Sequence, residues 1–173
     1  MAYDLLFGKN SRDWSRADNP PAPPLSLSFS PTESRALKLL EPSTAAFVVE
    51  VIGWARSQGI PASLSTQAVI YTPEDSARYY KEGKSHIAPG RLDWHNVGRA
   101  FHLRGPKGFL EYSDYEAIAR YVRSRGGEWL GDTPLRDLAH YEYHPGILLW
   151  QYRKSPLAAR EVAQTQKRVA RYG

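Results

Sequence analysis

Four prolines stand within five positions, Pro20, Pro21, Pro23 and Pro24, in the stretch NPPAPPLSLSFSP. Proline has no amide hydrogen to give to a helix or a sheet, and its ring clashes with the preceding turn. Residues 1–30 are therefore expected as an extended arm, wrapped on the domain or partly loose. Packing must begin after them. The remaining residues, 31–173, suit a single domain, and the chain of 173 residues is long enough to bury a real core.

Beyond the arm the periodicity alternates between helical and extended. In EPSTAAFVVEVIGWARSQG the apolar residues Phe47, Val48, Val51, Ile52 and Ala55 fall at helical spacing, and Gly59 supplies a stop. IPASLSTQAVIY is β-rich and alternating, which predicts a strand over 60–71. Thr72 followed by Pro73 predicts an N-cap and a short helix ending at Gly83. NVGRAFHLRG predicts a strand. Ser113 with Glu116 three residues on predicts a capping box opening the helix SDYEAIARYVRS. LAHYEYHPG predicts a strand, ILLWQY a further one, and Ser155-Pro156 opens a terminal basic helix. Strands and helices mix without βαβ repetition, so the expected class is α+β, not a doubly wound sheet.

The absence of cysteine excludes disulfides, thiolate metal sites and a cysteine nucleophile. The start of the chain lacks the basic and apolar regions of a secretory signal, and no apolar run approaches the roughly 18 residues of a membrane helix. Cytoplasmic synthesis without stable membrane insertion is the expectation. The net charge of +5 favours a polyanion such as nucleic acid, anionic lipid or an acidic wall, or simply aids solubility. No nucleic-acid motif accompanies it.

The chemistry concentrates in LDWHNVGRAFHL. On a strand, Gly98, Ala100 and His102 share one face, and the small residues clear space around the imidazole. His95 stands just before. A third histidine, His140, lies on the later strand, with Asp137 three residues ahead of it. Three imidazoles around zinc leave a position open for water, whose pKa the metal lowers to about 7. Asp137 is placed to take the proton. On spacing alone His86 and His144 compete for the same roles.

DWHNVGRAFHL resembles the S-x-H-x-x-G-x-A-x-D segment of the zinc peptidases that cut peptidoglycan stem peptides, the D-alanyl-D-alanine carboxypeptidases and the L-alanyl-D-glutamate endopeptidases. Many of the latter are phage endolysins, and Trp-His-Asn-x-Gly is typical of that branch. GGEWLGDTPLRDLAHYEYH resembles the branch's Trp-Gly-Gly-Asp block followed by Asp-x-x-His-x-Glu. LEPSTAAFVVEVIGWARSQGIPASLSTQAVIYTPEDSARYYKEGKS follows its upstream helix, strand and helix. The likeness covers roughly residues 38–145. It implies a hedgehog-type α+β fold in which a small antiparallel sheet carries Zn2+, flanked by helices. It implies His95, His102 and His140 as metal ligands, Asp137 as the catalytic base and Glu142 as a residue orienting a ligand from behind. Trp94 and Trp129 become candidate cleft residues beside Thr72.

Two positions depart from the family pattern. His102 replaces the usual Asp ligand, which removes one negative charge from the site. Thr72 stands where the family has an Arg that holds the substrate carboxylate, leaving Arg78, Arg91 or Arg99 to replace it. The implied function is hydrolysis of peptide bonds in peptidoglycan stem peptides by a monomeric endolysin released to the cell wall. A non-catalytic, zinc-stabilised virion or wall-binding module on the same fold is the alternative.

Overall fold

A computed structural model describes residues 27–67, 69–83, 85, 87–88, 91–134 and 136–173. The proposed arm lies outside the described residues up to position 26, and so does His86. The described chain is mixed α+β: six helices around a four-stranded antiparallel sheet.

Helix α1 (Pro31–Leu39) opens on Ser30, whose hydroxyl accepts from the Glu33 amide while the Glu33 carboxylate accepts from the Ser30 amide. Helix α2 (Pro42–Ser57) is capped by Glu41, whose carboxylate accepts from the amides of Ser43 and Thr44. It buries Phe47, Val48, Val51, Ile52, Trp54 and Ala55. The chain leaves it through Gly59 at φ +75°, the left-handed turn that glycine takes without steric cost. Helix α3 (Pro73–Lys81) begins on the expected Thr72 cap, with Asp75 completing the box.

The sheet runs β1-β2-β4-β3, with β1 Ser63–Leu64, β2 Ala100–Arg104, β3 Glu128–Trp129 and β4 His140–Glu142. In the central pair Ala100 faces Glu142, Phe101 faces Tyr141 and His102 faces His140. Period-two alternation then separates two faces. Phe101, Leu103 and Tyr141 enter the main core with α2 and with α4 (Tyr112–Ser124), where Phe47 meets Phe101 edge-on and stacks on Tyr143. Ala100, His102, His140 and Glu142 occupy the other face. A smaller core of Trp94, Val97, Ala100, Tyr152 and Ala158 lies on that side, closed by the terminal helix α6 (Pro156–Tyr172).

Four local expectations are corrected. The strand over 60–71 shrinks to Ser63–Leu64, because Pro61 cannot donate and the chain then turns away to wall the histidine cluster. Gly98 is not part of the strand. It sits at φ +73° and turns the chain into β2. The capping box of α4 is not formed: the helix starts at Tyr112 after Glu111, which places Ser113 inside the first turn. Its entry is pinned by the Tyr115 hydroxyl, which accepts from the Leu110 amide. Finally ILLWQY is not a strand but ends in the short helix α5 (Leu149–Tyr152). Tyr152 packs into the smaller core beside Trp94 and donates to Glu161, which draws the segment toward α6 and away from the outer edges of β1 and β3. Among the described residues no helix is long and apolar enough to cross a membrane.

Candidate metal centre

The β2–β4 register sets His102 directly opposite His140. His95 arrives from a 3₁₀ turn, Trp94–Val97, held at its start by reciprocal bonds between Asp93 and Asn96. The Asn96 amide group ties that turn to the Tyr71 carbonyl at 2.8 Å and to the Ser76 hydroxyl at 3.1 Å. The ring centroids of His95, His102 and His140 lie 4.9 Å from one another, pair by pair. Each ring offers one nitrogen within 4.8 Å of the other two.

The hydrogen bonds assign the protons. His95 Nδ1 is 3.1 Å from the Val69 carbonyl, so that nitrogen carries hydrogen and Nε2 presents a lone pair. His140 Nε2 is 3.0 Å from Glu142 Oε1 and donates there, turning the Nδ1 lone pair inward. These two bare nitrogens face each other at 3.4 Å. Two lone pairs at that distance repel unless a cation lies between them. A proton is disfavoured, because burial first, and then the neighbouring His102 and His140, hold His95 well below the ordinary histidine value. A metal ion is the other way to satisfy the arrangement, and neutral imidazoles are its usual nitrogen ligands. The donor set could therefore hold a metal ion.

Asp137 stands beside the cluster. Its Oδ2 is 3.4 Å from His102 Nε2, and its Oδ1 accepts from the Ala139 amide at 3.2 Å. Its side chain is 45% exposed. Partial burial pushes its carboxyl upward, but the bonds to His102 and Ala139 and the nearby His140 outweigh this and hold it below its usual range. The cluster opens on a cleft of 560 Å³ whose lining includes Tyr71, Trp94, His95, Asp137, His140 and Glu142.

The other expected residues divide. Trp94 lines the cleft but is itself buried, stacked on His144 at 4.2 Å. Trp129 is core and not cleft, its indole donating to the Leu138 carbonyl at 2.8 Å. Thr72 is spent on capping α3 and lines a separate, mainly apolar cavity of 550 Å³ between α3 and α6. None of the three candidate arginines lines the cleft. Arg78 pairs with Asp75 at 2.6 Å, Arg91 lines the second cavity, and Arg99 is buried against Glu161. Arg136 does line the cleft, at φ +49°, and no motif marks it in the sequence. Tyr71 was also unforeseen: its ring stacks on His95 at 4.2 Å, and burial raises its hydroxyl well above the ordinary tyrosine value. His144 does not join the three histidines but groups with Glu128 and Glu142.

Compared with models of known families, with curated proteins and with solved structures, the chain matches none. What the arrangement can do must be read from its own atoms. Three imidazoles could hold a metal, two of them, His95 and His140, line an accessible cleft, and the Asp137 carboxylate lies on its wall beside His102.

Proposed function

We propose that this chain is a zinc peptidase that hydrolyses peptide bonds of peptidoglycan stem peptides, in the manner of an endolysin, on a hedgehog-type fold. The observation that supports this most is the convergence of His95, His102 and His140 with the Asp137 carboxylate at the edge of an open cleft. The resemblance of the two motif blocks supplies the substrate class.

Zinc held by the three imidazoles would supply Lewis acidity and lower the pKa of a water to about 7. The chain's own groups do the rest. Asp137, held ionised, takes a proton from the attacking water and returns it to the leaving amine, and no covalent intermediate is needed. Glu142 keeps the His140 ring turned so that Nδ1 faces the cluster. Tyr71 backs His95 and leaves that ring little freedom. With His102 in place of a carboxylate the ligand set is neutral, which favours a more acidic water than an Asp-containing set would.

The test pairs zinc content and melting temperature with cleavage of a stem peptide. Asp137→Asn should keep zinc and fold while cleavage falls by about two to four orders of magnitude, the range for losing a general base. His140→Ala should lose zinc and cleavage together. A wild-type rate in Asp137→Asn would refute the assignment.

A second reading, a non-catalytic zinc-stabilised virion or wall-binding module, draws support from His102 in place of a carboxylate and from Thr72, which caps α3 and does not line the cleft. Permeabilised cells separate the two. An enzyme clears their turbidity and stops when a chelator is added; a binding module sediments with the walls and clears nothing.

A further inference from the structure

Behind His140 the hydrogen-bond chain continues. Glu142 Oε1 accepts from His140 Nε2 at 3.0 Å, and Glu142 Oε2 lies 3.1 Å from His144 Nε2. On its far side His144 Nδ1 lies 2.9 Å from the Ile147 carbonyl. A neutral imidazole has a single N–H. Here both ring nitrogens face oxygens, one of a carboxylate and one of a backbone carbonyl, and each nitrogen must donate.

The surroundings suit a cation. His144 is 7% exposed, and its ring lies flat on the Trp94 indole at 4.2 Å with 13° between planes. The indole face is the most favourable of the aromatic surfaces for a positive charge. A second carboxylate, Glu128, stands 3.8 Å from Nε2. Glu142 is itself almost enclosed, its side chain 13% exposed, so a lone negative charge there would be costly without a buried counter-ion.

We infer that His144 is a positioning residue: a buried imidazolium that holds Glu142 with Oε1 on His140 and thereby fixes His140 in the tautomer that presents Nδ1 to the cluster. The Ile147 carbonyl and the Trp94 ring set His144, His144 sets one carboxylate oxygen, and the other oxygen sets His140. The placement of His144 rests on its hydrogen bonds, its burial and its stacking on Trp94. Its consequence for metal binding rests on reading the three histidines as a metal centre.

Ring 15N–1H correlation spectra of the metal-free protein test the placement, and a zinc titration tests the consequence. In the wild type, His144 should show hydrogen on both nitrogens and His140 a single Nε2–H tautomer. His144→Phe keeps a flat ring against Trp94 but donates nothing. His140 should then become a mixture of tautomers, and the zinc Kd should rise by about 10–100-fold, the usual effect of removing an outer partner of a ligand. His144→Gln keeps one donor toward Glu142 and should fall between the two. If the Phe variant does not fold, the Gln variant carries both measurements. A wild-type His144 bearing one hydrogen overturns the inference. So does a folded variant whose His140 tautomer and zinc Kd stay as in the wild type. Should the wild type take up no zinc, the metal-centre reading falls, while the tautomer spectra still decide the role of His144.

Discussion

Gly98 carries φ +73°, and a Cβ built on it would lie 2.8 Å from the Glu41 amide nitrogen. Its carbonyl accepts from that same amide at 2.9 Å. The backbone that leaves His95 is thus pressed against the start of α2, with no room for a side chain. Gly98→Ala should cost about 2–4 kcal/mol, combining the left-handed penalty with an overpacked contact. Urea unfolding measures the loss, and the same variant should bind zinc less well, because the turn that aims His95 must shift. At this scale much of the site was readable. Strand alternation places Ala100 with His102, and His140 with Glu142, on shared faces whatever the tertiary structure. Thr72 shows where such reading stops. A threonine before proline first satisfies its own helix end, and nothing local says which cavity it will line. Arg136 and Tyr71 reach the cleft through turns whose course depends on the folded whole.

Helix α6 is tied down by polar contacts as well as by its apolar side. Arg99 forks onto Glu161, Nε to Oε2 at 2.9 Å and Nη2 to Oε1 at 2.7 Å, and the Tyr152 hydroxyl donates to Glu161 at 2.7 Å. Both charged groups are buried. Burial pushes the Glu161 carboxyl upward, and the bonds from Arg99 and Tyr152 outweigh it, so its folded value lies below 4.5. The sign follows. A carboxyl lowered on folding contributes its stability above about 4.5, and that contribution is lost as pH falls through the lower folded value. Glu161→Gln should cost about 3 kcal/mol near neutrality by leaving buried Arg99 with only the longer Glu41 contact at 3.8 Å. The variant should also lack the part of the acid-induced decline that Glu161 provides. Melting curves of both proteins between pH 3 and 7 would expose an error, since parallel curves contradict the pairing.

Helices whose ends obey local cap chemistry, α3 above all, were legible in the sequence. Helix α1 carries an equally clear signature, Ser30-Pro31 with Glu33, and it begins directly after the stretch expected as an arm. The segment 147–152 misled for a non-local reason. Its β-rich composition says nothing about which core it will join, and here Tyr152 enters the smaller core beside Trp94.

For the whole molecule, the α+β class followed from mixed periodicities, but the strand order did not. Strands of two or three residues leave little signal, and β3, Glu128–Trp129, is set by its pairing with Tyr141 and Glu142. The sheet divides the molecule into an apolar side under α2 and α4 and a polar side holding the histidines. That division depends on Ala100 meeting Glu142 and His102 meeting His140. Slide β4 by one residue and Tyr141 would lie among the histidines while His140 would enter the apolar core. A divalent ion would therefore distinguish a correctly paired chain from a mispaired one during refolding. An ion that binds only the native pairing at 100 times its Kd adds about 2.7 kcal/mol to that state alone. Refolding from urea with zinc should return more active-register protein than refolding with a chelator, scored by the zinc retained per chain after gel filtration. Equal yields would mean that strand pairing is settled without the histidines. In kinetic terms a metal held by the histidine triangle would make it a checkpoint: a long-range, slowly made pairing would become one that mass action can reward.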